Sequence, residues 1–201
     1  MYYAEFKTHS VAGASYRYRH DARIYLNQFT GSRSDGRCLG AFIGKNPGSA
    51  SGLSSAWGRI KEDTTLRLIR SVWLKRMAYR KVQAKPGDYV QILNLFYLCN
   101  PACCQAVRLA NKHALYFPDP AEGQRFERIW WGIGDYDDAA HRLHSCVNRL
   151  LTSSIKNCQK HVFYDPRKNG GSGLAVVRQP SSGDFCKHPI GMPHDPLARV
   201  L

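Results

Sequence analysis

The sequence predicts an α/β protein, a three-layer α/β/α sandwich around a central, mainly parallel sheet. Two observations carry this expectation. Short apolar segments rich in β-formers alternate with longer segments whose apolar residues recur at helical spacing. The chain has 201 residues, 43% of them hydrophobic, enough for one sizeable core and too few for two comfortable ones. We therefore expect a single domain over residues 1–201, with residues 1–36 as a basic, aromatic N-terminal extension packed on it.

Taken in order, "YRYRHDARIY" (16–25) alternates aromatic and cationic residues at period 2. Such a strand shows Tyr16 and Tyr18 on one face and Arg17 and Arg19 on the other. That basic face suits a nucleic-acid groove, and it also suits the charged outside of an edge strand. "RCLGAFIG" (37–44), "YVQILNLF" (89–96), "RIWWGIG" (128–134), "HVFYD" (161–165) and "LAVVR" (174–178) read as buried strands. Between the first two of these, "EDTTLRLIRSVWLKRM" (62–77) places Leu66, Ile69, Trp73 and Met77 on one helical face. Its acidic start and basic end agree with the helix dipole. "DYDDAAHRLHSCVNRLL" (135–151) does the same with Ala139, Leu143, Cys146, Val147 and Leu150. "PRKNGGSG" (166–173) reads as a loop.

Lysine and arginine number 29 against 15 aspartates and glutamates, a formal net charge of +14. A polyanion is the partner that this excess favours. No apolar run reaches the roughly 20 residues that span a bilayer, and "MYYAEFKTHS" lacks the apolar core of a signal peptide, so a cytoplasmic protein is expected. The seven cysteines are an odd number and are expected as reduced, packed thiols. Cys99, Cys103 and Cys104 lack paired C-x-x-C spacing, and neither a metal nor a cofactor is expected.

In open α/β sheets ligands sit beyond the carboxyl ends of the strands. Four exits stand out: Gly44-Lys45-Asn46-Pro47-Gly48, Asn94 in "ILNLFYLCNP", "WWGIG" (130–134), and "HPIGMPHDP" (188–196). The first is neither a P-loop nor a dinucleotide fingerprint. An amide at the tip of a Gly-Pro turn suggests that main chain must approach something closely there.

In this order the four exits resemble the uracil-DNA glycosylase superfamily, over roughly residues 37–196. "GKNPG" resembles its first motif in the form carried by the mismatch-specific and single-strand-selective branches, where asparagine replaces the aspartate of the best-known branch. "ILNLFYL" resembles the strand whose asparagine reads the flipped pyrimidine, "WWG" a strand ending in glycine, and "HPIGMP" the late His-Pro motif. The chain also resembles a group of uncharacterised bacterial proteins with a strand-Asn-Pro turn and a late His-Pro.

The resemblance implies a monofunctional glycosylase, since no lysine stands at a nucleophile position. It would flip a pyrimidine from single- or double-stranded DNA, acting as a monomer. Asn46 would position the attacking water and His188 would stabilise the leaving base. Gly44 and Pro47 would lie against the sugar and base, Asn94 would read the pyrimidine edge, and Trp57 would stack on it. Met192 would wedge the duplex, with Pro193 and Lys45 as further DNA contacts, and the basic face of residues 16–25 adds Arg17 and Arg19 to these contacts.

Two departures bear on the target. The Asn46 position lacks a carboxylate, for which Asp63, Asp184 and Asp195 are candidates, and Ile190-Gly191-Met192-Pro193 replaces the usual Ser-Pro-Leu-Ser. A modified pyrimidine, including a bulky one of the kind found in phage genomes with a role in defence, is therefore expected alongside uracil. The alternatives are an inert DNA-binding protein of the same fold and a nucleoside or nucleotide hydrolase.

Overall fold

The computed structural model describes residues 1–48, 57–113, 115–134, 140–153, 155, 158–164, 173–177 and 189–201, with the backbone alone for 140–145. Among these residues eight strands form one sheet. They are β1 (Tyr2–Val11), β2 (Ala14–Tyr25), β3 (Cys38–Gly44), β4 (Trp57–Arg59), β5 (Tyr89–Asn94), β6 (Arg128–Trp131), β7 (Lys160–Tyr164) and β8 (Leu174–Val177), in the spatial order β4-β1-β2-β5-β3-β6-β7-β8. The helices are α1 (Thr64–Tyr79), α2 (Cys103–His113), α3 (Ala140–Thr152) and α4 (His194–Val200). The class is α/β, as expected. None of these helices is long and apolar enough to cross a membrane.

The sheet is mixed, which corrects the expectation of a mainly parallel one. Only β5, β3, β6 and β7 run parallel; β4, β1 and β2 lead into β5 antiparallel, and β8 is antiparallel to β7. The cause lies in the N-terminal segment, which is part of the sheet and not an extension laid on it. Val11 pairs with Ala14 across a two-residue turn, Ala12-Gly13, with φ of 52° and 77°. Positive φ at both central residues is the hairpin turn whose twist matches the strands, and a two-residue hairpin is antiparallel by construction. β2 is consequently an interior strand between β1 and β5, and the edge-strand reading fails.

Strict alternation along the parallel strands divides the core in two. Ala41, Ile43, Leu93, Ile129, Trp131 and Phe163 face one side, with Val107 and Ala110 of α2 and Val147 and Leu150 of α3. Phe42, Ile92, Trp130 and Val162 face the other, with Leu66, Ile69, Trp73 and Met77 of α1 and Leu197 of α4. Sandwiching a sheet between helices buries both faces, which explains why these strands are nearly all apolar. The predicted helical face of α1 is thus the buried face. Glu62 and Asp63 precede the helix instead of opening it: Asp63 is its N-cap and accepts a 2.7 Å hydrogen bond from the Leu66 amide. In α3, Cys146, Val147 and Leu150 are buried as expected. Ala139 and the Leu143 side chain lie outside the described residues, as does most of the 166–173 loop.

An irregularity in the hairpin sets which way the side chains of β2 point. The register of β1 against β2 shifts between Tyr3 and Glu5, so that Asp21 and Ala22 share the place opposite Ala4. Asp21 takes φ of 42° at this bulge. It is held by hydrogen bonds from Arg23 Nε (2.9 Å) and Arg33 Nε (2.6 Å), and its own amide donates to Asp119 Oδ2 (2.6 Å). An extra residue reverses which face the following side chains occupy. Tyr18 belongs to the α2/α3 side, whereas Ala22 and Ile24 belong to the α1/α4 side.

Candidate active site

Three of the four predicted exits meet because β3 lies between β5 and β6 and all three run parallel. Gly44 is in register with Asn94, and Gly132 donates its amide to the Ile43 carbonyl at 2.9 Å. Leu95 and Phe96 amides donate to the carbonyls of Gly44 (3.0 Å) and Lys45 (3.4 Å), locking the first two exits together. Beyond them opens a cavity of about 550 Å³, within the size range of small-ligand sites. Gly44 to Gly48, Asn94 and Gly132 to Gly134 line it. The far wall is the start of α1, with Asp63, Thr65, Leu66 and Ile69, and Arg19 of β2 completes it.

Small residues at the exits have a specific cause in the ring of Phe42, which lines the cavity from β3. A Cβ on Gly132 would lie 2.5 Å from Phe42 Cε2 and 3.0 Å from Pro189 Cδ. One on Gly44 would lie 3.2 Å from both Phe42 Cε1 and Asn94 Oδ1. Phe42 is itself braced edge-to-face by Trp130, with centroids 5.0 Å apart. Pro189 against Gly132 also brings the fourth exit to the same end of the sheet. His188, which precedes it, lies outside the described residues, as do Asp184 and Cys186.

Two polar atoms of the cavity residues, Asn94 Nδ2 and Arg19 Nε, are buried without a partner among the described residues. Asn94 is 2% exposed and its Nδ2 has no partner among the described residues. Burying an amide donor unpaired is unfavourable by about 1–3 kcal/mol, so this group is suited to a ligand acceptor. Asn46 donates from Nδ2 to the Asn100 carbonyl at 2.9 Å, which orients its amide and leaves Oδ1 as the acceptor to offer. Asp63 brings a carboxylate into the cavity at the N-terminus of α1, a position that favours negative charge. Arg19 is 5% exposed, and desolvation pushes its pKa down from the ordinary arginine value.

Other predicted residues lie elsewhere. Trp57 does not reach the cavity: β4 pairs with β1 at the sheet edge, where the Trp57 ring stacks on Tyr3 with centroids 5.9 Å apart. The guanidinium groups of Arg33 and Arg23 sit 4.7 and 5.3 Å from its centroid. Met192 is 6% exposed, packed among the α1 and α4 residues with its Sδ 3.2 Å from Trp130 Nε1, and so is core and not a wedge. The exposed apolar residue of that loop is Ile190, at 60%. Pro193 is the N-cap of α4, and Arg17 lies over the Phe6 ring at 4.2 Å, outside the cavity. Asp195 is exposed and bound to Lys75 at 2.5 Å, which removes it as the missing carboxylate.

Sequence reasoning missed Phe42 and Ile190 and took Arg19 for a surface contact. For Phe42 the signal was present: it is the one aromatic between the two glycines of "GAFIG" and alternates out of phase with Ala41 and Ile43. No family model, no curated protein and no solved structure matches this chain.

Proposed function

We propose that the protein is a monofunctional DNA glycosylase of the uracil-DNA glycosylase type, which receives a flipped pyrimidine in the cavity and hydrolyses its N-glycosidic bond. The observation that carries this reading is the buried, unpartnered Nδ2 of Asn94, a residue in register with Gly44, where the turn that presents Asn46 begins. On the same reading its fold is the sandwich of that superfamily.

Base excision needs the target outside the stack, in a pocket that reads its edge. Asn94 offers a donor and an acceptor to that edge. Phe42, rather than Trp57, is the aromatic against which the base rests. In the reaction the bond from C1′ to the base nitrogen breaks and its electron pair leaves with the base, while water adds to C1′. Asn46 Oδ1 accepts a hydrogen bond from that water and orients it, but an amide takes no proton. Asp63 supplies the carboxylate, stabilising the oxocarbenium-like sugar and accepting the proton of the water. His188 would donate to the departing base; a preorganised donor to developing charge contributes about 100- to 1,000-fold. Ile190, exposed beside Pro189, takes the wedge role expected of Met192. The substrate is DNA, bound by a monomeric cytoplasmic protein through phosphate contacts that its positive charge favours.

The test incubates the protein with duplex and single-stranded DNAs containing uracil or modified cytosines and thymines, and scores alkali-labile abasic sites. Release from at least one substrate, lost in Asn46→Ala, supports the reading. Tight binding without release from any of them favours an inert DNA-binding protein.

A further inference from the structure

Among the described residues three arginines are buried, Arg19, Arg23 and Arg128. Two of them have a carboxylate: Arg23 Nε lies 2.9 Å from Asp21 Oδ1, and a terminal nitrogen of Arg128 lies 2.6 Å from Glu127 Oε1. Arg19 has neither an ion pair nor a side-chain hydrogen bond to any described residue, and its Nε is buried without a partner. Desolvation outweighs the attraction of the groups around it. Burial pushes the Cys99 thiol up to about 11, so it is uncharged; the carboxyl groups of Asp63 and Asp119 act on Arg19 only through space, and Asp63 also caps α1. A guanidinium stays protonated at neutral pH, and a buried charge left uncompensated is strongly unfavourable.

Arg19 nevertheless lines the cavity. Arg19 lies two residues before the Asp21 bulge, on the α1/α4 side of β2, and its backbone amide is fixed to the Tyr97 carbonyl at 3.1 Å. The same cavity holds the second orphaned donor, Asn94 Nδ2. A neutral pyrimidine edge satisfies Asn94 and leaves Arg19 unanswered. The guanidinium fork matches the paired oxygens of a phosphate or a carboxylate.

We infer that Arg19 is an anion receptor inside the cavity, and that the ligand is a nucleotide which carries a phosphate or carboxylate group into the cavity with its base. The inference rests on the nucleotide reading of the cavity but not on the glycosidic chemistry. Two sources supply such a group: the phosphate attached to the sugar of the target, or an acidic substituent on the base itself.

Calorimetry with three probes separates them: 2′-deoxyuridine, its 5′-monophosphate, and 5-carboxy-2′-deoxyuridine, each against wild type, Arg19→Gln and Arg67→Gln. Arg67 is exposed on α1 and serves as the control for loss of one positive charge. Wild type should bind at least one anionic probe tenfold or more tighter than the neutral nucleoside. The preferred probe names the source. Arg19→Gln should abolish the preference and Arg67→Gln should retain it. Because Arg19→Gln removes an uncompensated buried charge, its unfolding temperature should equal or exceed that of wild type. Equal binding of all three probes, a preference that survives Arg19→Gln, or a markedly destabilised Arg19→Gln would each overturn the inference. Base release from no DNA with the anion preference intact would sink the glycosylase and leave Arg19 in its role; base release with no anion preference would do the reverse.

Discussion

At the scale of single residues, the site rests on side chains whose hydrogen-bonding capacity is left open toward the cavity. Asn94 is the sharpest case. Asn94→Asp keeps the acceptors and removes the donor, so it should shift preference toward cytosine-like edges, whose amino group donates, by about 1–3 kcal/mol. Release rates on paired uracil-type and cytosine-type substrates measure this, and an unchanged ratio would show that Asn94 does not read the base. Asp63 caps α1 and, in the proposed mechanism, also supplies the carboxylate; one substitution separates the two. Asparagine caps a helix as well as aspartate does, so Asp63→Asn should leave the unfolding temperature nearly unchanged while slowing base release by about 100-fold or more. Loss of stability in step with activity would mean that Asp63 only caps α1. Asn46 was legible from its turn, whereas the burial of Arg19 was not, because period 2 gives the face of a side chain and says nothing of what covers that face.

At the scale of elements, the turn at Pro189–Gly191 is coupled to β6 through one absent side chain. Gly132→Ala would press a methyl into Phe42 and Pro189, so either the ring or the turn must move. The expected result is a loss of about 1–3 kcal/mol of stability, from overpacking. Base release should fall further than stability does, since the turn adjoins His188. Activity retained at wild-type level would uncouple that turn from the site. Within the same loop, Ile190 and Met192 should separate cleanly. Ile190→Ala should weaken release from duplex far more than from single strands, because only the duplex must be held open after extrusion. Met192→Ala should lower stability by about 2–5 kcal/mol, the usual range for such a truncation in a core, and reduce both activities alike. Reversed outcomes would restore Met192 as the wedge.

At the scale of the whole molecule, buried titratable groups set the response to pH. Desolvation pushes both His20 and His161 down to about 4. His161 Nδ1 accepts a hydrogen bond from Trp131 Nε1 at 3.0 Å, which requires the neutral ring. Their folded pKa values lie below the unfolded value of about 6.5, so the stability they contribute is present above that pH and lost as pH falls toward 4. Asp119 opposes this: desolvation raises its pKa to about 7, so its share is present below about pH 4 and lost as pH rises through 7. Two histidines outweigh one carboxyl, and the unfolding temperature should drop between pH 6.5 and 4. His161→Gln, which keeps an acceptor for Trp131, should flatten that drop, and an unaltered slope would exclude His161 as its source.

Local sequence was enough to specify the parallel half of the molecule and the meeting of its exits. Apolar runs bounded by turns and helical spacing are local properties, and parallel strands joined by helices place their exits Gly44, Asn94 and Gly132 at one end of the sheet, although the order that sets β3 between β5 and β6 is a long-range outcome. Long-range contacts settled the rest. The pairing of β2 with β5 is a contact distant in sequence, and it put the N-terminal hairpin inside the sheet. The bulge at Asp21 reverses the side-chain faces along β2 without changing the sequence period, while Arg33 and Asp119, remote in the chain, hold it in place. Trp57 and Met192 went to an edge stack and a core because aromatic and apolar side chains satisfy either place equally well. Only the long-range partners that close around them, Tyr3 for one and Trp130 for the other, make the choice.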